Sequence, residues 1–200
     1  MPTGSTVRFL HSADWQLGMT RAFLGPEATP RFSQARIDAI GRLGALAVEH
    51  DAAFIVVAGD VFESNRISQT TLNRAVDALA RIEVPVYLLP GNHDPLETAS
   101  LFHSPVLASA GQHIHVIRDH RPIPVPGLPG VEVVGAPWTS KRPVADPCAA
   151  LLKALSPVSD GIRVAVCHGQ VSTLAPDQAQ PGVIDVASAE AALADGRIDY

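Results

Sequence analysis

Phe54-Ile55-Val56-Val57-Ala58-Gly59-Asp60 is the stretch that decides the fold: five apolar residues, three of them β-branched, run without interruption into a glycine and a carboxylate. A run this short, with no polar residue on either face, reads as a largely buried strand. Val7-Arg8-Phe9-Leu10 upstream, and Val86-Tyr87-Leu88-Leu89 and Ile162-Arg163-Val164-Ala165-Val166-Cys167 downstream, carry the same signature. Between the first two runs, Ile37, Ile40, Leu43 and Ala47 recur at helical spacing, which predicts a helix over 31–50 weakened slightly by Gly41 and Gly44. Between the second and third, Ser68 is placed to cap a helix whose face is Leu72, Ala75, Val76 and Leu79, and Pro85 breaks the chain before the next strand. The order βαβαβ implies right-handed crossovers and a sheet covered by helices.

The second half is less regular. Val131-Glu132-Val133-Val134 reads as a strand, Pro147 to Ala154 as a helix, and Ser188 as the cap of a small-residue helix ending at Ala194. The Pro/Gly-rich stretch Arg121 to Gly130 lies between candidate strands on a chain of one-domain length, and is expected to be a long hairpin loop rather than a linker. Ala175 to Gly182 reads as a surface loop.

Composition narrows the function. The chain has 200 residues, 46% of them hydrophobic, enough for one core burying about 70% of the unfolded surface, which excludes intrinsic disorder. A net charge of -5 means that a nucleic-acid partner must be held by local contacts or metal ions rather than by a basic surface. No apolar run approaches the roughly 20 residues of a membrane span, and Met1-Pro2-Thr3-Gly4-Ser5 lacks a signal-peptide pattern, so a cytoplasmic protein with no membrane association is expected. Cys148 and Cys167 are too few for a disulfide framework and are expected to be reduced core residues.

Polar residues cluster where the strands end. Asp14 follows the first run, Gly59-Asp60 the second, Gly91-Asn92-His93-Asp94 the third and His168-Gly169 the fourth. Loops at the carboxyl ends of strands in open α/β sheets converge on one cleft, which would gather two Asp, one Asn and two His. Oxygen and imidazole donors of this mixture suit a pair of divalent ions, and a carboxylate can bridge two ions about 3.5–4 Å apart. Each residue alone has a plainer reading: Asp60 as a turn cap, Asn92 as a left-handed turn residue, His93 and His168 as structural histidines. Their common position at strand ends favours the metal reading. His113 and His115, at i and i+2, would face one side of a strand, but no third donor is nearby in sequence. Arg21, Arg66, Lys141 and Arg142 lie in loops expected to border the cleft, where contact with phosphate is one role and ordinary solvated charge the simpler one.

With His11-Ser12-Ala13-Asp14-Trp15-Gln16-Leu17-Gly18, Gly59-Asp60-Val61-Phe62, Gly91-Asn92-His93-Asp94 and Cys167-His168-Gly169 in this order, the sequence resembles the calcineurin-like metallophosphoesterases, within them the SbcD-type DNA repair exonucleases. The resemblance runs from Val7 to Tyr200. It implies a four-layer αββα sandwich, with Asp14 on a first metal ion, Asp60 bridging two, and Asn92 and His168 on the second. It also implies attack by a metal-activated hydroxide, with His93 as general acid and Asp94 holding the His93 ring in its working tautomer. The ions implied are two divalent metals, Mn2+ or Mg2+. The partners implied are DNA and, for a full-length protein, an SMC-like ATPase subunit, and the family pattern leaves room for a homodimer.

Two departures from the family pattern stand out. Gln16 occupies a position where the family usually has His, and its neutral amide oxygen is a weaker ligand. The Gly-His-x-His motif that supplies one further ligand to each ion has no counterpart in the 200 residues, which close on Arg197-Ile198-Asp199-Tyr200. The expectation is therefore a phosphoesterase domain over 1–200, incomplete at its C-terminus and without a cap domain. Two alternatives remain: a general phosphodiesterase for small esters, and a non-catalytic remnant or interaction module. Nucleophile-elbow, phosphate-loop, dinucleotide and zincin motifs are all missing from the sequence.

Overall fold

A computed structural model describes residues 6–177, 180 and 182–200. The Met1 to Ser5 start and, within the expected 175–182 loop, Gln178, Ala179 and Pro181 lie outside the described residues. Strands β1 (Leu10–Ser12), β2 (Ile55–Val57), β3 (Val86–Leu88) and β4 (Ile114–Val116) pair in parallel in the order β1-β2-β3-β4. A second sheet joins β5 (Ile123–Pro124), β6 (Val131–Gly135) and β7 (Ile162–Val166), with β5 antiparallel and β7 parallel to β6. The hairpin expected across 121–130 is the β5–β6 pair.

The uninterrupted apolar character of residues 54–58 follows from layering. Ile55 and Val57 point to one side of β2 and pack among residues of the helices α1 (Ala28–Glu49) and α2 (Gln69–Leu79). Phe54 and Val56 point to the other side and meet Val131, Val133, Val164 and Val166 of the second sheet. Both faces are dry, so neither tolerates a polar residue. On the far side of the second sheet, α4 (Pro147–Ala154) and α5 (Val186–Ala194) close a smaller core through Cys148, Leu152 and Ala192. The four layers are those of the αββα sandwich. Phe54 is fully buried, stacked on Phe9 at 4.9 Å and edge-on to Tyr87 at 5.6 Å. Gly135 lets the sheets approach closely, since a Cβ there would lie 2.8 Å from Ile117.

Several local expectations are met closely. Ser68 Oγ accepts the Thr71 backbone N–H at 3.1 Å and starts α2, whose expected face is buried. α4 has the predicted bounds. Three differ. β1 spans Leu10–Ser12 rather than 7–10, because register with Ile55–Val57 sets the strand while Phe9 is drawn to the Phe54 ring. α5 is capped by Asp185, which accepts the Ala187 N–H, and Ser188 instead donates to the Asp185 carboxylate. α1 begins at Ala28 rather than Arg31. His113 and His115 make separate contacts: His113 Nε2 meets the Leu79 carbonyl, and His115 stacks on Tyr87.

Candidate metal centre

The carboxyl ends of β1, β2, β3 and β7 deliver Asp14, Gln16, Asp60, Asn92, His93 and His168 to one cleft of about 490 Å³, as the strand order predicts. Backbone bonds from Asp14 N to Gly59 O (3.1 Å), Gln16 N to Asp60 O (2.8 Å) and Leu17 N to Val61 O (2.9 Å) zip the first two loops together. Asp14 (φ 55°), Gln16 (φ 43°) and Asp60 (φ 53°) are held in left-handed conformation. Such positions cost on the order of 1 kcal/mol each and persist where the surroundings enforce them. Arg36 of α1 donates to the Trp15 carbonyl at 2.6 Å, fixing the Asp14 loop from outside.

Asp14, Asp60 and His168 each offer a donor atom within 4.8 Å of the others. Two carboxylates and an imidazole at this spacing fit a divalent cation. Asn92 Oδ1 lies 3.0 Å from His168 Nε2, which adds an amide oxygen to the set. His168 Nδ1 faces the Ala58 carbonyl at 2.7 Å; a carbonyl only accepts, so Nδ1 carries a proton, and Nε2, turned toward the Asn92 and Asp60 oxygens, is the ring atom that would meet a cation. Gly59 makes this possible, since a Cβ on it would fall 2.2 Å from His168 Cγ. Burial alone would raise the Asp60 carboxyl, but the His168 hydrogen bond, the His93 backbone N–H and both imidazoles leave it below the ordinary range. For His168 burial acts to lower the pKa, and the Asp60 carboxylate outweighs it and raises it.

His93 Nε2 stands 3.9 Å from Asp60 Oδ2. Its Nδ1 meets the Glu63 carbonyl oxygen at 3.1 Å, with the Glu63 carboxylate 3.8 Å away. The tautomer is therefore set by the Glu63 main-chain carbonyl, and the expected pairing of Asp94 with the His93 ring is replaced by a different arrangement. Asp94 is fully buried beneath the cleft, its Oδ1 accepting from Gly91 N and its Oδ2 from Phe62 N, both at 2.8 Å. Burial pushes its carboxyl up to about 6. It joins the loop after β2 to the loop after β3, and both oxygens are committed to that task.

Sequence reasoning missed His11 and Gln170, which also line the cleft. His11 lies in β1 rather than after it, and its partner, the Tyr200 hydroxyl at 2.9 Å, is 189 residues away, beyond the reach of local pattern. Cys148 is buried and Cys167 half-buried, both as free thiols; a hydrogen bond with Cys148 and burial push the Cys167 thiol well above its ordinary range. Arg21, Arg66, Lys141 and Arg142 are exposed and stand outside the cleft lining.

A cleft at strand ends between two sandwiched sheets, with carboxylate, amide and imidazole donors beside a second imidazole, has the form of a metal-dependent phosphoesterase domain. The calcineurin-like phosphoesterase family model matches residues 7–179, and the chain belongs to that family. It is 33% identical over 91 residues to the DNA double-strand break repair protein Mre11 of Archaeoglobus fulgidus, a match covering 44% of this chain and 19% of that protein. It is 29% identical over 136 residues to the SbcD component of nuclease SbcCD of Bacillus subtilis, covering 65% of this chain and 33% of that one. The matches thus span about a fifth and a third of those curated relatives. Among solved structures, TT1561 of Thermus thermophilus superposes with a TM-score of 0.60 at 13% identity, over 96% of this chain and 79% of that one, a likeness of fold.

Proposed function

We propose that this chain is the catalytic domain of a metal-dependent phosphodiester hydrolase whose substrate is DNA. The observation that carries the reading is the convergence of Asp14, Asp60 and His168 within 4.8 Å beside His93, whose Nε2 is open to the cleft. Among the described residues neither lysine nor arginine lines the cleft, and we assign the neutralising of phosphate charge to cations. Asp14 and Asp60 would hold one ion, and Asp60, Asn92 and His168 a second. When bound, such ions neutralise phosphoryl charge and acidify a water molecule. Octahedral ions take roughly six donors each, more than these residues supply, and we assign the balance to water, phosphate oxygens and a Gly-His-x-His segment of the kind the family pattern includes.

The remaining chemistry belongs to the side chains. His93 holds its Nδ1 proton on the Glu63 carbonyl and, as imidazolium, delivers the Nε2 proton to the leaving oxygen. Asp60 fixes the His93 backbone N–H at 2.9 Å and so couples the acid to the cation site. The functions that the two relatives are named for, break repair and nuclease, support DNA as the substrate, and the name of the second as a subunit of SbcCD supports a partner subunit, which we assign as an SMC-like ATPase of a longer protein. Mn2+ is the ion that we would supply first.

The test is Mn2+-dependent hydrolysis of labelled duplex DNA and of bis(p-nitrophenyl) phosphate by the wild type and by His93→Ala, each with and without an added Gly-His-x-His segment. DNA cleavage reduced about 10²–10⁴-fold in His93→Ala supports the reading. Turnover of the small diester alone would move the assignment to a general phosphodiesterase. No turnover of either substrate in either chain would overturn it in favour of a non-catalytic module.

A further inference from the structure

We propose that Trp138 is a positioning residue that pins the His168 ligand to the Asn92-His93 loop, so that the alignment of the two sheets at the cation site depends on one indole N–H; this rests on the metal-centre reading above. Trp138 follows β6 and is only 7% exposed. Its Nε1–H donates to the His168 carbonyl at 2.7 Å. Its backbone N–H donates to Pro90 O at 3.1 Å, and its carbonyl accepts from Leu96 N at 2.7 Å. Pro90 and Leu96 bracket Gly91-Asn92-His93-Asp94, so one residue grips both ends of the loop from the first sheet and the ligand from the second.

The ring has little freedom to move. Gly182, at φ +91°, presses its backbone against the indole so closely that a Cβ would fall 2.6 Å from Cη2. The indole also meets the His168 imidazole, with ring centres 6.3 Å apart and planes at 73°. His168 is therefore held twice: its ring by the Ala58 carbonyl of the β2 end, and its main chain by Trp138. Freed from Trp138, the His168 peptide can rotate, and rotation carries Nε2 away from Asp60 and Asn92, which lie 3.4 and 3.0 Å from it. Groups that orient a metal ligand without touching the ion commonly govern affinity in this way.

The experiment compares the whole chain as wild type, Trp138→Phe, Gly182→Ala and Leu107→Ala. Trp138→Phe keeps a ring and removes the donor; Gly182→Ala displaces the indole without removing it. Leu107→Ala is a core truncation at α3 (Pro105–Ala108) that destabilises the fold away from the cleft. Two quantities are read: Mn2+ affinity by calorimetry, and the His168 tautomer by long-range 1H–15N correlation on metal-free protein at pH 8. Expected is a loss of affinity of about tenfold in Trp138→Phe, with a loss in the same direction in Gly182→Ala. The single Nδ1–H tautomer of wild type and Leu107→Ala should become a mixture in both Trp138→Phe and Gly182→Ala. An unchanged tautomer in Trp138→Phe, or an equal loss of affinity in Leu107→Ala, overturns the proposal. A wild type that binds no Mn2+ while Trp138→Phe still shifts the tautomer would sink the metal-centre reading and leave the positioning role standing.

Discussion

Gly91 lies so close to Asp60 that a Cβ on it would stand 2.2 Å from the carboxylate Oδ1 and 2.4 Å from the Asp60 backbone nitrogen. The constraint is on backbone as well as side chain, so it cannot be relieved by a rotamer change. Asp60, already in left-handed conformation and bonded to His93 N, is one of the three donors gathered within 4.8 Å in the proposed cation site. Gly91→Ala is expected to destabilise the protein by about 1–3 kcal/mol through overpacking and to weaken Mn2+ binding at least about tenfold. Urea unfolding and calorimetry check both. Wild-type affinity in Gly91→Ala would mean that Asp60 tolerates displacement and is not a ligand.

Asp60 and Gln16 should differ sharply as donors. Asp60 is buried, ionised and in reach of both His168 and His93, whereas Gln16 is a neutral amide at the cleft edge. Asp60→Ala should therefore reduce Mn2+ affinity far more than Gln16→Ala, by about 10²-fold against less than about tenfold, because in the proposed site Asp60 would serve two ions as a bridging carboxylate. Titration calorimetry on the two variants side by side decides it; equal losses would remove the bridging role.

The strand-end cluster was legible in sequence because it depends on two local facts, an apolar run and the polar residue that follows it. Asp14, Asp60, Asn92, His93 and His168 all reach the cleft on that logic. What local pattern could not supply was the partner of each polar atom. Asp94 stands next to His93 in the chain, yet its carboxylate turns inward to Phe62 N and Gly91 N, while His93 takes the carbonyl of Glu63, 30 residues away. Trp138 and His11 matter through Pro90, His168 and Tyr200, contacts made only once two sheets face each other. β1 moved toward Ser12 for the same reason, since its register belongs to β2 rather than to its own hydrophobicity.

Phe54 tests the sandwich itself. It is fully buried between the sheets, with Phe9 stacked on it and Tyr87 edge-on, and it belongs to the core shared by Val131, Val133 and Val164. Phe54→Ala should cost about 3–5 kcal/mol by lost burial and the cavity left behind. Phe54→Leu, which fills more of the space, should cost less. Chemical denaturation measures both; a loss below about 1 kcal/mol in Phe54→Ala would mean that the two sheets do not depend on this contact.

Asp94 gives the metal-free protein a distinctive pH dependence. Burial raises its carboxyl from an ordinary 3.8 to about 6, so the folded state binds the proton more tightly than the unfolded chain does. The stability this contributes is complete below pH of about 4 and is lost as pH rises through about 6, a change of roughly 3 kcal/mol for a two-unit shift. Asp60 works in the opposite sense: its carboxyl is lowered, and its contribution is present above its unfolded pKa and lost toward acid. The two are separated by Asp94→Asn, which cannot titrate. Across pH 4–7 the gap in unfolding free energy between wild type and Asp94→Asn should shift toward the variant by roughly 2 kcal/mol, since the wild type alone ionises a buried acid. Urea unfolding in the presence of chelator follows it, and a gap that stays constant across this range would show that Asp94 is already ionised at pH 4 and that its two backbone N–H donors outweigh its burial.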